Sequence, residues 1–184
     1  IEIILGYTLI TPRNKNAIKN MKKSDGRKRC ILLTGYSSQH NIDYINISNR
    51  SDNLYGDFVH VIIGTEVISE GISLKNIQYI HIVEPWWNFS ETDQAISRAI
   101  RATSHNDLIE NNEEFRENRN VNIYLHAAIP RISDREILYD QSIDIIMYIR
   151  SALKDRVIKH IERLIKESSF DCALNYERNF NIIN

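Results

Sequence analysis

The sequence predicts an α/β fold: a parallel sheet covered by helices on both faces, followed by a helical C-terminal extension. Three observations carry this reading. Four short apolar runs, rich in β-branched residues, end at glycine or proline. Helical patterns lie between them. A long amphipathic period then runs from about Ser142 to Glu167. Strands that alternate with helices favour a parallel sheet, because each crossover lays a helix on a face.

The strands come in order. Cys30–Thr34 (CILLT) stops at Gly35, and Val59–Gly64 (VHVIIG) is the second run. Gln78–Val83 (QYIHIV) is stopped by Pro85, and Val121–Ala128 (VNIYLHAA) by Pro130. Short apolar runs bounded by such breakers read as buried strands. Ile1–Tyr7 reads as the end of a helix closed by Gly6 as its C-cap. On that reading the chain starts inside its domain.

Between the third and fourth strands, Ser90–Arg101 reads as a helix with Ser90 as its cap. Residues 105–120 are polar and read as an exposed loop with one helical turn. Ser133 and Glu136 have the spacing of a capping box. In the last helix Ile146, Ile149, Leu153, Val157, Ile161 and Leu164 recur at three- or four-residue steps, which predicts a core-packing face. The domain boundary falls near 130: residues 1–130 form the α/β domain and 131–184 the extension.

Composition excludes several classes. The two cysteines, Cys30 and Cys172, make neither a disulfide framework nor zinc-ligand spacing, so a reducing, intracellular site is expected. The six histidines show no ligand spacing, and no metal site is expected. No apolar run is long enough to span a bilayer. No serine sits in a nucleophile-elbow context. Net charge is −1, but residues 1–29 hold eight Lys or Arg against Glu2 and Asp25, a local +6. Such a segment suits phosphates, and equally suits a solvated helix face.

The helix at Ser90–Arg101 carries the chemistry. At about 100° per residue, Gln94, Arg98 and Arg101 fall within roughly 60° of one another on the wheel. Ala95, Ile96, Ala99 and Ile100 gather opposite. One amide and two guanidiniums therefore share a stripe. Arginine forks bind two phosphate oxygens at once and stay charged. The same stripe is also what a solvated salt-bridge face looks like.

Gln94-Ala-Ile-Ser-Arg98-Ala-Ile-Arg101 resembles motif VI of superfamily 2 helicases, and Thr65-Glu-Val-Ile-Ser-Glu70-Gly71-Ile72-Ser73-Leu74 upstream resembles motif V. Both occur in order, each after a strand. Glu84-Pro-Trp86-Trp87-Asn88 is similar to the D-P-W-W-N segment of chromatin-remodelling translocases. The resemblance is closest to helicases of large DNA viruses and cytoplasmic linear plasmids, including the poxvirus early transcription factor small-subunit type. That group has similar blocks at Asp52-Asn53-Leu54-Tyr55-Gly56 and Ser168-Ser-Phe-Asp171-Cys172-Ala-Leu-Asn175.

This resemblance implies a second RecA-like domain over residues 1–130. Arg98 and Arg101 would be catalytic, with Arg101 as the arginine finger. Gln94, Glu70, Gly71 and Ser73 would face the nucleotide, and Gly35, Tyr36 and Thr65 the nucleic-acid backbone. Ser73 stands where many helicases have an aspartate for the ribose, and Ser97 where they have glycine. No P-loop and no D-E-x-H or D-E-x-D pair occurs in the chain. ATP and Mg²⁺ would therefore be bound mainly by a first RecA-like domain, on the same or another chain.

The implied partners are that domain, DNA or RNA, and a viral RNA polymerase, with no membrane. The implied location is cytoplasmic, in a virus factory or virion. The alternative reading is a helicase-fold transcription factor subunit that binds promoter DNA and polymerase. A third is a scaffold whose arginine stripe is structural. Trp86 and Trp87 pack their loop against the sheet on one reading and stack on bases on another.

Overall fold

The computed structural model describes residues 6–35, 38–65, 72–110, 120–133, 136–137 and 142–170. They fall into two compact units. One runs through His81 and resumes over Asp93–Tyr124; the other comprises Ile82–Thr92 and the chain from Leu125 onward.

In the first unit, β1 (Thr8–Leu9), β2 (Arg29–Leu33) and β3 (Val61–Gly64) form a parallel sheet in that order. The register pairs Cys30 with Val61 and Leu33 with Gly64. Strand alternation sends Ile31 and Leu33 into the core while Leu32 stays 40% exposed. Helices α1 (Lys15–Lys19) and α2 (Ser38–Ser48) supply Ile18, Tyr44 and Ile47 to the same core, with Ile10 and Val59. The α/β class with parallel strands and a long C-terminal helix is as the sequence predicts. β1 was not anticipated, because two residues carry no period. Gly6 has the positive φ of +67° that a C-cap needs, but the helix expected before it lies outside the described residues.

The Asp52–Gly56 block is a structural corner. The Asn53 side chain is buried and donates to the carbonyls of Ser48 (2.8 Å) and Val59 (3.2 Å). It accepts from the amides of Phe58 (2.8 Å) and Val59 (3.0 Å). One amide thus satisfies four backbone groups between α2 and β3. Gly56 turns the chain at φ +77°, and a Cβ there would lie 2.8 Å from Nδ1 of His60. Beside it, Arg50 bonds both oxygens of Asp52 (2.7 and 2.6 Å). It also donates to the carbonyls of Ile18, Lys19 and Met21 at the end of α1, and lies over the Phe58 ring.

Strands β4 (Tyr79–Ile82) and β5 (Asn122–Leu125) pair. The Asn122 amide bonds the Gln78 carbonyl and the His126 amide bonds that of Ile82, so the strands run parallel. Helix α3 (Phe89–Ala99) follows β4, and α4 (Asn106–Glu110) lies between α3 and β5. This confirms a helical turn in the polar 105–120 segment, although Leu108 within it is buried.

Two expectations for the C-terminal region are corrected. Ser133 and Glu136 form no capping box. They are register partners of an antiparallel hairpin, β6 (Arg131–Ser133) and β7 (Glu136–Ile137). A three-residue offset also fits the two ends of a two-residue hairpin loop, so the spacing was ambiguous. Helix α5 (Ile143–Ser168) starts where expected, with the Ser142 hydroxyl accepting from the Ile145 amide at 3.2 Å. Among the described residues, however, its apolar stripe is largely open: Leu153 and Val157 are 59% and 60% exposed. The helix is held instead through polar contacts. Ser142 donates to the Ala128 carbonyl and Tyr148 to the His126 carbonyl.

Candidate functional site

Helix α3 begins at Phe89, so Ser90 lies in its first turn rather than capping it, and Asn88 precedes. Ile96 and Ala99 are buried, as their side of the wheel requires, but Ile100 is 46% exposed. The helix ends at Ala99. Arg101 therefore lies beyond it, in the turn that follows, and does not extend the Gln94–Arg98 stripe as a helical residue. Gln94 and Arg101 are exposed and Arg98 is half-buried.

Two segments close against each other around Arg101. Ser73–Ile77 runs beside Arg98–His105. The Leu74 amide donates to the Arg98 carbonyl (3.1 Å) and the Asn76 amide to the Ser104 carbonyl (2.9 Å). His105 Nε2 lies 2.8 Å from the Ile77 carbonyl. The buried Ser104 hydroxyl shares its one proton between the carbonyls of Ala99 (2.9 Å) and Arg101 (2.8 Å). Asn76 adopts φ +58°, a left-handed conformation that asparagine tolerates. Ser104 thereby fixes the turn that carries Arg101.

Within this pairing the Arg101 guanidinium donates from Nη1 to the Ser73 hydroxyl. The structure thus brings together two residues that the sequence assigned separately, one to the ribose and one to phosphate. Asn49, just past α2, holds the other side of Ser73. Its Nδ2 donates to the Ser73 carbonyl (2.8 Å), and its Oδ1 accepts from the Lys75 amide (2.9 Å). Sequence reasoning missed Asn49 and Ser104. The only signal for either is a polar residue just past a helix, which is common enough to pass unnoticed.

A second grouping lies at the carboxyl ends of β2 and β3. Gly35 and Thr65 both follow their strands and are exposed. The Thr65 amide donates to the Leu33 carbonyl (3.2 Å), which puts the two strand ends side by side. Open α/β sheets present ligand-facing loops at this edge. Tyr36, Glu70 and Gly71 lie outside the described residues.

The basic segment is partly neutralised. Lys15 pairs with Asp43 and approaches His40, and Lys19 lies 3.5 Å from Asp43. Arg29 is buried against Asp25, which Arg27 also approaches at 3.6 Å. The Lys15 ammonium holds the Asp43 carboxyl below the usual range, and the Arg29 guanidinium does the same for Asp25. Arg13, Lys22, Lys23 and Lys28 are exposed. Trp86 and Trp87 are exposed as well, at 37% and 57%. Trp87 is met by Lys154, whose ammonium lies 5.8 Å from the ring centroid and donates to its carbonyl. Trp87 is the more open of the two among the described residues. No helix there is long and apolar enough to cross a membrane.

The family model described as the helicase conserved C-terminal domain matches residues 6–103. Those residues include both the Ser73–Ile77 and the Arg98–Arg101 segments. The chain belongs to the helicase C-terminal domain family.

Relatives of this helicase domain agree with the resemblance to viral and plasmid proteins. A protein named as a helicase, 087L of Invertebrate iridescent virus 3, is 39% identical over 95% of this chain and 16% of its own length. The killer plasmid pGKL-2 helicase of Kluyveromyces lactis is 33% identical over 78% of this chain and 22% of its own. A protein of Acanthamoeba polyphaga mimivirus, L377, named as an ATP-dependent RNA helicase, is 34% identical over 83% of this chain and 13% of its own. The helicase domain thus spans less than a quarter of the length of these relatives. No solved structure matches it significantly.

Proposed function

We propose that this helicase domain is the second half of an ATP-driven motor on DNA or RNA, and that it supplies the arginine finger to an ATP site shared with another domain. The observation that carries the reading is Arg101. It is exposed, it lies in a turn fixed by Ser104, and its described partner is a neutral hydroxyl rather than a carboxylate. A guanidinium has five donors in a fork. With one given to Ser73, others remain for a phosphate. A purely structural arginine would be expected in an ion pair within the domain.

The phosphate cradle and the magnesium carboxylates belong to the other half, since this chain has neither motif. ATP supplies the transferable phosphoryl group when bound. Gln94 and Arg98 face it from α3, and Glu70 and Gly71 link the nucleotide to the nucleic acid. Arg101 stabilises charge that develops as the γ-phosphoryl leaves. Gly35, Tyr36 and Thr65 contact the sugar–phosphate backbone with amide and hydroxyl donors, which favours movement along a strand over base reading. The name of the mimivirus relative supports ATP use. A viral setting is supported by the viral relatives; polymerase contact and a cytoplasmic location are proposed from the family resemblance alone.

The test is nucleic-acid-stimulated ATP turnover by a longer protein that carries this domain, with Arg101 intact or replaced by alanine. Turnover that survives the replacement would remove the reading.

A further inference from the structure

The Ser73 hydroxyl accepts from Arg101, and the Ser73 backbone is in turn held by a side chain from a different element. Asn49 follows α2, where its own amide closes the helix on the Ile45 carbonyl at 2.8 Å. Its carboxamide then reaches across to the other segment and makes two bonds there. Nδ2 donates to the Ser73 carbonyl at 2.8 Å, and Oδ1 accepts from the Lys75 amide at 2.9 Å. The two bonds bracket Leu74, whose side chain is buried and whose amide bonds the Arg98 carbonyl. Ser73 is thus fixed from three directions: by Asn49, by the anchoring of Leu74, and by Arg101 itself.

We propose that Asn49 is a positioning residue for Arg101. It acts through Ser73, whose hydroxyl sets the direction from which the guanidinium reaches a nucleotide phosphate. This rests on the reading of Arg101 as the arginine finger and deepens it.

The chemistry suits the role. A free arginine side chain loses rotamer entropy when it is fixed, so a partner that fixes it in advance spares that cost at binding. A neutral acceptor at one Nη orients the fork without neutralising it. The Ser73 hydroxyl leaves the guanidinium its full charge. Asn49 can make both of its bonds only with one carbonyl and one amide facing it, so it also fixes the path of residues 73–75. The link ties the end of α2 to the arginine turn without any contact to the reacting atoms.

The experiment uses the full-length ATPase that carries this domain, saturated with an oligonucleotide. Asn49→Ala, Ser73→Ala, Ser73→Thr and Arg101→Ala are compared, together with Asn49→Ala in the Arg101→Ala background. The expected result is a fall in kcat of about 10- to 100-fold for Asn49→Ala and Ser73→Ala, the range for a misplaced catalytic group. For Asn49→Ala, KM for ATP should stay within about twofold, as for a residue that acts mainly in the transition state. Ser73→Thr keeps the hydroxyl and should retain most turnover.

A readout independent of turnover is affinity for ADP with aluminium fluoride. It should weaken about tenfold or more in Asn49→Ala, while affinity for ADP alone stays unchanged. In the Arg101→Ala background, Asn49→Ala should add less than about twofold, because residues that act as a unit are not additive. Thermal melting identifies any variant that fails to fold, and the exposed Ser73→Ala substitution carries the test if Asn49→Ala does. If Arg101→Ala cripples turnover while Asn49→Ala and Ser73→Ala do not, the positioning proposal is overturned and the finger stands. Equal losses from Asn49→Ala with and without Arg101 would also overturn it. If Arg101→Ala leaves turnover intact, the finger reading falls and takes this proposal with it.

Discussion

The guanidinium of Arg101 donates to the hydroxyl of Ser73, joining the turn after α3 to the segment before β4. The two residues are 28 positions apart, and their meeting depends on backbone bonds at Leu74 and Asn76 on either side of the contact. Arg101 is therefore presented by a braced turn rather than by a helix face. Its position follows from the pairing of two segments, and damage to either should be felt at the guanidinium.

The brace lies in the first unit, where the Asn53 side chain closes a corner. Its side chain satisfies four backbone groups from a site that is 7% exposed. Asn53→Ala should cost about 2–4 kcal/mol, since buried groups left unpaired cost about 1–3 kcal/mol each and water recovers some of them. Urea unfolding of the protein measures it. A loss under about 0.5 kcal/mol would show that the corner re-forms without the amide.

Gly56→Ala tests the same corner by sterics. The position needs φ +77°, and the new Cβ would meet Nδ1 of His60 at 2.8 Å and its Cα at 3.1 Å. Left-handed strain costs about 1–2 kcal/mol for an L-residue, and the clash adds to it. The melting temperature should fall by several degrees. An unchanged melting temperature would mean that the turn has another conformation.

Acid should loosen the first unit by a specific route. The Asp25, Asp43 and Asp52 carboxyls are held below their ordinary value by hydrogen bonds from Arg29, Lys15 and Arg50 respectively. A depressed carboxylate contributes stability that is complete above its unfolded pKa of about 4. That contribution is lost as the pH falls through the lower, folded value. Stability should therefore drop below about pH 4. Asp52→Asn should flatten part of the drop, measured by denaturation at several acidic pH values. The effect is small, because Asp52 is half-exposed and water screens the pair. A pH profile that Asp52→Asn leaves identical would remove this pair from the account.

Much of the fold was legible in the sequence because it rests on local signals. The apolar runs at Cys30–Thr34 and Gln78–Val83 and the cap at Ser142 depend on neighbours only a few residues away, and each element appears within two residues of its expected position. The errors share one cause. The Ser133–Glu136 spacing fits a cap and a hairpin equally, and only pairing with another strand decides between them. Wheel geometry carried Arg101 on the α3 stripe, but Ser104 folds the chain back at Ala99. The α5 stripe has the right period for a core, and periodicity says what a helix can bury rather than what is there to cover it. Asn49 was invisible because its partners are more than twenty residues away.

Nucleic-acid binding should be dominated by phosphate contacts. Thr65 and Gly35 offer backbone and hydroxyl donors at one sheet edge, and Arg13, Lys22, Lys23 and Lys28 are exposed. Affinity should be nearly independent of sequence and fall steeply with salt. Thr65→Ala should cost about 1.5–3 kcal/mol at most, the worth of one hydrogen bond to a charged group. Titration of labelled oligonucleotides at several salt concentrations checks both. Tight, salt-independent binding that is lost on Trp86→Ala would point to base stacking instead.

The most direct test of the central claim is the turnover of Arg101→Ala and Arg101→Lys in a longer protein that carries both the P-loop half and this domain. Arg101→Ala should lower nucleic-acid-stimulated ATP turnover by about 10³-fold or more, as for arginine fingers, with oligonucleotide affinity nearly unchanged. Arg101→Lys should recover little, because an ammonium cannot reproduce the fork. An Arg101→Ala protein that hydrolyses ATP at the wild-type rate would contradict the account.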